Sequence, residues 1–221
     1  DNHLLVVTKP AMLPTMGVAD DRPSLLTVAK EYIRQKFNKP GNVYLGVVSR
    51  LDAPVTGVVL LARTSKAAAR LSEQFRERDV EKVYWAIVEN QPEPLTGRLK
   101  GFLRKDERHR KVHATSSKTP DAQLAELEYR VFSGSPGEPR LRSLGDAALL
   151  EVRLLTGRKH QIRVQLAHAG CPILGDIKYG ARERFPSGIA LHARRLVVSH
   201  PVSKIKVEIE APVPASWRGR L

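Results

Sequence analysis

The chain has 221 residues, of which 42% are apolar and 5% aromatic, a composition typical of a globular protein and not of a disordered one. Lysine and arginine number 37 against 23 acidic residues, a net charge of +14, which favours a polyanionic partner such as nucleic acid over a merely solvated basic surface. No apolar stretch approaches the ~20 residues of a membrane span, and the single cysteine, Cys171, excludes an internal disulfide and favours a reducing cytoplasm.

The first elements are a strand at Leu4–Thr8 and a helix that Ser24 caps and that runs to Phe37. Apolar residues at helical spacing predict that one face of this helix is buried. These residues are Leu25, Val28, Ala29, Tyr32 and Ile33.

Two further helices are predicted downstream. Ser65 is placed to cap one that runs to Arg76, and the other covers Arg158–Ala169 and ends at Gly170. The residues of this last helix predicted to face a core are Ile162, Leu166 and Ala169.

The other apolar runs are of strand length, and they do not alternate strictly with helices. This pattern favours an α+β domain, with a large mixed, mostly antiparallel sheet flanked by a few helices and loops, over a Rossmann fold. Leu99–Leu103 and Lys111–Thr115 are predicted to form the arms of a basic hairpin. The remaining strands are predicted at Val43–Val48, Gly57–Ala62, Val83–Val88, Leu124–Phe132, Ala148–Leu154, Leu191–Val198 and Ile205–Ile209.

Several kinds of chemistry have no support in the sequence. It contains no G-x-x-x-x-G-K-[ST] or G-x-G-x-x-G phosphate loop, no H-E-x-x-H zinc motif and no G-x-S-x-G nucleophile elbow. The seven histidines are scattered along the chain. Cys171 has no neighbouring base, so we expect a packed thiol.

The loop around Asp52 is the strongest chemical candidate. Arg50 and Asp52 lie between two apolar strands, just before Pro54 and Gly57. A lone loop aspartate is most often a cap or turn former. Here the flanking strands would hold the loop rigidly, and basic surroundings would keep a carboxylate ionised beside an RNA backbone.

From Ser49 to Ala62 the sequence reads S-R-L-D-A-P-V-T-G-V-V-L-L-A. This segment resembles the H-R-L-D-x-x-T-S-G-x-x-L-x-A signature of the RluA-type RNA pseudouridine synthase family. Five further segments resemble motifs of that family in the same order, so the likeness spans almost the entire chain. They are D-N-H-L-L-V-V-T-K-P from Asp1, K-V-Y-W-A-I-V from Lys82, T-G-R-K-H-Q-I-R from Thr156, G-C-P-I-L-G-D from Gly170 and L-H-A from Leu191.

The sequence departs from the family pattern at four places, which bear on the substrate more than on the reaction. Ser49 and Gln165 stand where histidine is usual, Met12 where glycine is common, and Val55-Thr56 where Thr-Ser is usual. The aspartate, tyrosine and arginine of the pattern are all present.

The resemblance implies a pseudouridine synthase fold, with residues 1–221 forming a single catalytic domain and no S4 RNA-binding module in this chain. It implies an isomerase that detaches uracil from C1′ of a uridine in ribosomal or transfer RNA and re-attaches it through C5, without cofactor or metal. We expect RNA as the partner, no membrane association, a monomer and a cytoplasmic location.

The resemblance also implies roles for single residues. Asp52 would be the essential carboxylate, acting covalently on C1′ or through a glycal intermediate. Arg163 would pair with Asp52 and orient it, and Tyr84 would stack on uracil and help to remove the C5 proton. Arg50 would fill the space that the extruded base leaves, or hold a phosphate.

Ile162 and Leu191 would line the apolar side of the uracil pocket, although ordinary core positions would explain both equally well. Taken alone, Tyr84 would be a core strand residue with its hydroxyl bonded. Arg163 alone would be a surface arginine in contact with water or phosphate.

Residues 98–118 contain eight lysines and arginines but only two acidic residues. We predict that this hairpin clamps the RNA backbone through Arg104, Lys105 and Arg110, and that Arg158 extends the same surface. The alternative is a solvated hairpin.

Two other functions compete with the isomerase. One is a non-catalytic RNA-binding module, which would not need Asp52, Tyr84 and Arg163 together. The other is an aspartate-dependent hydrolase or glycosidase, which usually needs a second carboxylate. Asp176 is the candidate for that carboxylate, but its Gly175-Asp176 setting is typical of a turn.

Overall fold

The computed structural model describes residues 1–19, 21–142 and 145–221. In these residues the chain forms ten strands, which belong to one mixed, mostly antiparallel sheet, and three α-helices. The predicted fold class is therefore confirmed. The strands are β1 Leu4–Lys9, β2 Gly46–Val47, β3 Thr56–Ala62, β4 Glu81–Val88, β5 Thr96–Asp106, β6 Lys111–Thr115, β7 Gln123–Val131, β8 Ala148–Leu154, β9 Leu191–Ser199 and β10 Lys206–Glu210. The helices are α1 Leu25–Lys36, α2 Ser65–Glu77 and α3 Gln161–His168, and the 3₁₀ turns are Ile177–Tyr179 and Ala215–Trp217.

The chain divides into two compact units, residues 1–81 with 193–212 and residues 82–192 with 213–221. In the first unit the strand order is β1-β3-β9, with β2 on β3 and β10 on β9. All seven residues of β3 are buried. Val59 and Leu61 pack with α1, whereas Leu60 and Ala62 pack with α2. A strand covered on both faces has no polar side, which explains why it reads as a continuous apolar run.

In the second unit the strand order is β4-β8-β7-β5-β6, and each neighbouring pair is antiparallel. The β5–β6 hairpin is confirmed, and its first arm is longer than predicted. Leu103 and Val112 of the hairpin pack in one cluster with Val164 of α3 and with Tyr179. The underside of the hairpin therefore rests on α3.

The predicted first helix is confirmed, but its buried face is narrower than expected. Ser24 caps α1 and forms a capping box with Thr27. Val28 and Tyr32 are 51% and 48% exposed, because the buried residues of the helix form a single narrow stripe spaced by four residues. The residues of α1 that are buried are Leu25, Ala29 and Ile33.

Three other predicted boundaries are wrong. Thr64 and not Ser65 caps α2, since the Thr64 side chain accepts from the Ala67 N–H. Helix α3 begins at Gln161 and not at Arg158, because His160 has a left-handed backbone (φ 55°) that no helix tolerates. Val43–Val48 keeps only β2 as a strand.

No helix in the described ranges is long and apolar enough to cross a bilayer. Cys171 is a buried thiol, as predicted, and burial raises its pKa.

Gly57 is the second residue of the buried strand β3 and has a φ of +119°. A Cβ at this position would lie 2.3 Å from the Ala193 carbonyl oxygen. Gly57→Ala should therefore lower the free energy of unfolding by about 2–4 kcal/mol, because the substitution adds backbone strain and a clash with backbone atoms.

The free energy of unfolding is measured by urea denaturation. Gly101→Ala is the matched control, because a Cβ there would meet nothing within 4 Å. Equal stabilities of the two variants would contradict the close approach of Gly57 to β9.

Candidate active site

Asp52 lies in the loop between β2 and β3, in the first unit. The carbonyl of Asp52 accepts a hydrogen bond from the Val55 N–H at 3.1 Å, which closes the loop into a turn. The Asp52 side chain is half-buried, and Arg50 is exposed. Both charged groups are thus presented by the same short segment, as the sequence predicts.

A buried lysine holds this loop from below. Lys9, at the end of β1, is fully buried. Its Nζ donates to the carbonyl oxygens of Pro10, Leu13 and Ala53 at 2.9, 2.8 and 2.9 Å. An ammonium group has three N–H donors and no acceptor, so these three carbonyls use all of them. One of the three follows Asp52 directly, so Lys9 fixes the loop on its C-terminal side.

Thr15 fixes the loop on the other side of Asp52. Its buried hydroxyl donates to the Leu51 carbonyl at 2.8 Å and accepts from the Leu51 N–H at 3.2 Å. Both backbone groups of the residue before Asp52 are therefore bound by one side chain. The sequence motif indicates the loop but not Lys9 and Thr15, because nothing in the spacing of these two residues shows that they reach it.

Burial lowers the pKa of Lys9 to about 8, and the negative charge of Asp52 acts in the opposite direction. Carbonyl dipoles replace the hydration of the ammonium only in part, so desolvation is the larger effect. The charges of Lys9 and Asp52 therefore attract each other.

Tyr84, Ile162, Arg163 and Leu191 lie in the second unit. Tyr84 is half-buried on β4, opposite Val152 of β8. Ile162 lies in α3 and Leu191 is the first residue of β9, and both side chains are buried.

Arg163 lies in the first half of α3 and is buried, so the surface alternative for this residue is wrong. Its Nε donates to Oδ2 of Asp176 at 2.7 Å, and its Nη2 donates to Oδ1 at 2.8 Å. Asp176 is therefore part of the surroundings of Arg163. The Gly175-Asp176 pair predicts a turn, and nothing in it indicates that Asp176 pairs with Arg163.

Helix α3 is buried all round, from Gln161 to Leu166, so the predicted one-sided stripe is wrong. Two glutamines provide the polar contacts that such a helix needs. Gln161 accepts from Thr156 Oγ1 and from the Arg158 N–H. The Gln165 amide donates to carbonyls of both β5 and β7. These hydrogen bonds fix the position of the helix that carries Arg163 and its rotation about its own axis.

The basic hairpin presents Arg104, Lys105 and Arg110 to solvent, and Lys105 forms an ion pair with Glu107. Two other cations of the segment, Arg98 and Lys100, pair with Glu126 on β7. The Lys100 ammonium and the Arg98 guanidinium lower the pKa of the Glu126 carboxyl. The usable positive charge is thus smaller than the count along the segment suggests. Arg158 is half-buried, and its Nε donates to the Leu124 carbonyl at 3.0 Å.

Comparison with known proteins decides the family. Residues 3–168 match the model of a family described as RNA pseudouridylate synthase. The chain belongs to this family. It is an RNA pseudouridine synthase of the RluA type, an isomerase, and the hydrolase alternative is therefore wrong.

The relatives cover nearly the whole chain. An RNA pseudouridine synthase of Bacillus subtilis, YhcT, is 31% identical over 99% of this chain and 68% of its own length. The ribosomal large subunit pseudouridine synthase D of Xanthomonas campestris is 34% identical over 97% of this chain and 64% of its own length. The solved structure of human RNA pseudouridylate synthase domain containing 4 aligns with a TM-score of 0.76 and 28% identity, over 98% of this chain and 89% of that one.

Lys9→Met should lower the free energy of unfolding at pH 7.5 by about 2–4 kcal/mol, because three buried carbonyls lose their donor. The folded protein has the lowered pKa of about 8, against 10.5 for an ordinary lysine, so the unfolded chain binds more protons between these values. The stability of the wild type relative to the variant should therefore rise with pH above 8, by up to about 1.4 kcal/mol per pH unit.

Urea denaturation from pH 7.5 to 9.5 measures this difference. Lys206→Met, which removes an exposed lysine, should show no such trend. A difference that shrinks as the pH rises would mean that the carbonyls stabilise the ammonium by more than burial destabilises it.

Proposed function

We propose that the protein converts a uridine in large-subunit ribosomal RNA into pseudouridine, with Asp52 as the essential carboxylate. The observation that carries this proposal is the clamped loop: Asp52 stands in the family signature, and Lys9 and Thr15 hold the backbone on both sides of it. Relatives named as ribosomal large subunit pseudouridine synthases C and D support this choice of substrate.

The reaction breaks the bond from C1′ to N1 of uracil and forms a bond from C1′ to C5. N1 gains a proton and C5 loses one, so the composition of the RNA does not change. An ionised Asp52 serves either route, since it can attack C1′ or accept a proton from the ribose.

We assign the other parts of the reaction to residues of the second unit. Arg163 orients the Asp52 carboxylate through a charge-assisted hydrogen bond. Tyr84 stacks on the extruded uracil and assists the loss of the C5 proton. Ile162 and Leu191 form the apolar wall for the base, which their burial supports. Their side chains exclude water from the reacting atoms.

The exposed cations bind the RNA backbone. Arg104, Lys105 and Arg110 on the hairpin bind phosphates, and Arg158 extends this surface. Arg50, which is exposed beside Asp52, fills the space of the extruded base or holds a phosphate. We place the protein in the cytoplasm, because a single buried thiol, that of Cys171, suits a reducing compartment.

Asp52→Asn should abolish pseudouridine formation, because it removes the charge and keeps the shape of the side chain. RNA binding should stay within a few-fold of wild type. The release of tritium from RNA labelled at C5 of uridine measures the reaction, with large-subunit RNA and transfer RNA compared as substrates.

Asp79→Asn, the same change at an exposed aspartate of the first unit, is the control and should be fully active. Activity of Asp52→Asn near that of the control would remove Asp52 from the mechanism. Faster modification of transfer RNA would overturn the proposed substrate.

Replacing Arg104, Lys105 and Arg110 together by Ala should weaken RNA binding and flatten the log–log dependence of affinity on salt by up to about three units, if each cation meets one phosphate. The modified uridine and the rate at saturating RNA should not change, because phosphate contacts carry no sequence information.

Binding is measured by titration between 50 and 200 mM salt, roughly the range over which counterion release is resolved. The control variant replaces Lys66, Arg76 and Lys206, which are exposed in the first unit. An unchanged slope for the hairpin variant would show a solvated hairpin, and a changed modification site would show that the hairpin reads RNA shape or sequence.

A further inference from the structure

The ion pair between Arg163 and Asp176 is nearly sealed from water. The two side chains are 6% and 1% exposed, and the closest N–O distance is 2.7 Å. Two parallel hydrogen bonds join the Nε and Nη2 edge of the guanidinium to the two carboxylate oxygens. This fork-to-fork geometry fixes the plane of the guanidinium as well as its position.

Stability alone does not account for such a pair. Removal of two ions from water has a large desolvation cost, and a buried pair often contributes no more to folding than apolar residues of the same volume. A buried pair does specify one arrangement of its partners, since any displacement leaves a charge without compensation. The Arg163–Asp176 pair therefore calls for an explanation in terms of orientation.

The backbone around Asp176 is itself rigidly held. The Asp176 N–H donates to the Ile173 carbonyl at 2.9 Å, and its carbonyl accepts from the N–H groups of Tyr179 and Ala181. Gly175 has a φ of +87°, and a Cβ there would lie 2.4 Å from Cβ of Phe185. The carboxylate is thus presented by a tight turn with no room to shift.

The same turn supports Arg163 from a second direction. The Arg163 guanidinium lies over the Tyr179 ring, 4.9 Å from its centre. The Tyr179 hydroxyl in turn accepts from the Val112 N–H of the hairpin at 3.0 Å and lies 2.6 Å from His160 Nδ1. One turn therefore joins the guanidinium, the start of α3 and the second strand of the hairpin.

The pair with Asp176 occupies one edge of the guanidinium. A guanidinium has five N–H donors in a planar fork, and Asp176 accepts from two of them. The opposite edge, which includes Nη1, can serve a second acceptor in the same plane. The orientation of that edge is set by the Asp176 carboxylate.

We propose that Asp176 is a positioning residue of the isomerase, which fixes the Arg163 guanidinium in the orientation that supports the Asp52 carboxylate. The inference rests on the proposed role of Arg163. Asp176 acts through Arg163 and not by contact with RNA, so its loss slows the reaction without weakening RNA binding.

The test measures the single-turnover rate at saturating RNA and the Kd for RNA in four variants: Asp176→Asn, Asp176→Glu, Arg163→Lys and the double variant R163K/D176N. Asp176→Asn should slow the reaction about 10- to 100-fold, because a small misplacement of a catalytic group has effects of this size. The Kd should stay near that of wild type. Asp121→Asn, at an exposed aspartate of the same unit, is the matched control and should keep the wild-type rate.

The double variant separates positioning from an independent effect. Arg163→Lys keeps a cation for Asp176 but has no planar fork to orient. It should be slow, and the double variant should be hardly slower, because effects that act through one group are not additive. Multiplied effects in the double variant would overturn the inference.

Asp176→Glu keeps the buried charge pair and moves the carboxylate by one methylene group. This variant provides the test if Asp176→Asn does not fold. It should remain folded in a thermal melt and react about tenfold more slowly. A folded Asp176 variant with the wild-type rate overturns the inference while Arg163→Lys stays slow. A wild-type rate in Arg163→Lys overturns instead the proposed role of Arg163, and the inference with it.

Discussion

The buried ammonium of Lys9 is the interaction on which the placement of the Asp52 loop depends. It replaces water by three backbone carbonyls, two of them just after β1 and one just after Asp52. Two chain segments that are far apart in sequence are thereby joined at one point charge. Thr15 adds a second attachment to the same loop. The role proposed for Asp52, which brings its carboxylate within a fraction of an ångström of its place beside the ribose, requires a backbone of this kind.

Among the described residues, Lys9 is a buried cation of one unit and Arg163 of the other, and the two are stabilised differently. Lys9 is held by neutral dipoles and its pKa falls to about 8, since carbonyls compensate only part of the lost hydration. Arg163 is held by a full negative charge in a bidentate pair, and a guanidinium does not lose its proton in proteins. The lysine is suited to holding backbone, whereas the arginine is suited to presenting a fixed positive edge at any pH.

Most of the fold could be predicted from sequence because its strands are marked by apolar runs and its helices by caps. The hairpin arm Lys111–Thr115 and the strand Ala148–Leu154 have the predicted bounds, since both are isolated by polar turns. Periodicity failed for α3 because a helix buried on every side has no polar face to reveal its rotation. The helix begins three residues later than predicted because His160 has a left-handed backbone angle, which residue type does not specify.

The candidate site was predictable where it consists of a motif, and not where it consists of contacts. Asp52, Tyr84 and Arg163 stand in recognisable segments. The partners that hold them, such as Lys9 and Asp176, are given by tertiary packing. Glu126 shows the same limit for charge, because it neutralises hairpin cations from a neighbouring strand and lies outside the segment in which charges were counted.

The complete burial of β3 has a consequence for motion. A strand covered by α1 on one face and α2 on the other exchanges its amide hydrogens only when the surrounding unit unfolds, whereas an exposed hairpin opens locally at far lower cost. The Asp52 loop leads directly into β3, the part of the unit with the slowest amide exchange. The basic residues lie at the tip of the hairpin, where amide exchange is fastest. Adaptation to the shape of an RNA therefore falls to the hairpin and to the RNA itself, while the carboxylate stays where the core has placed it.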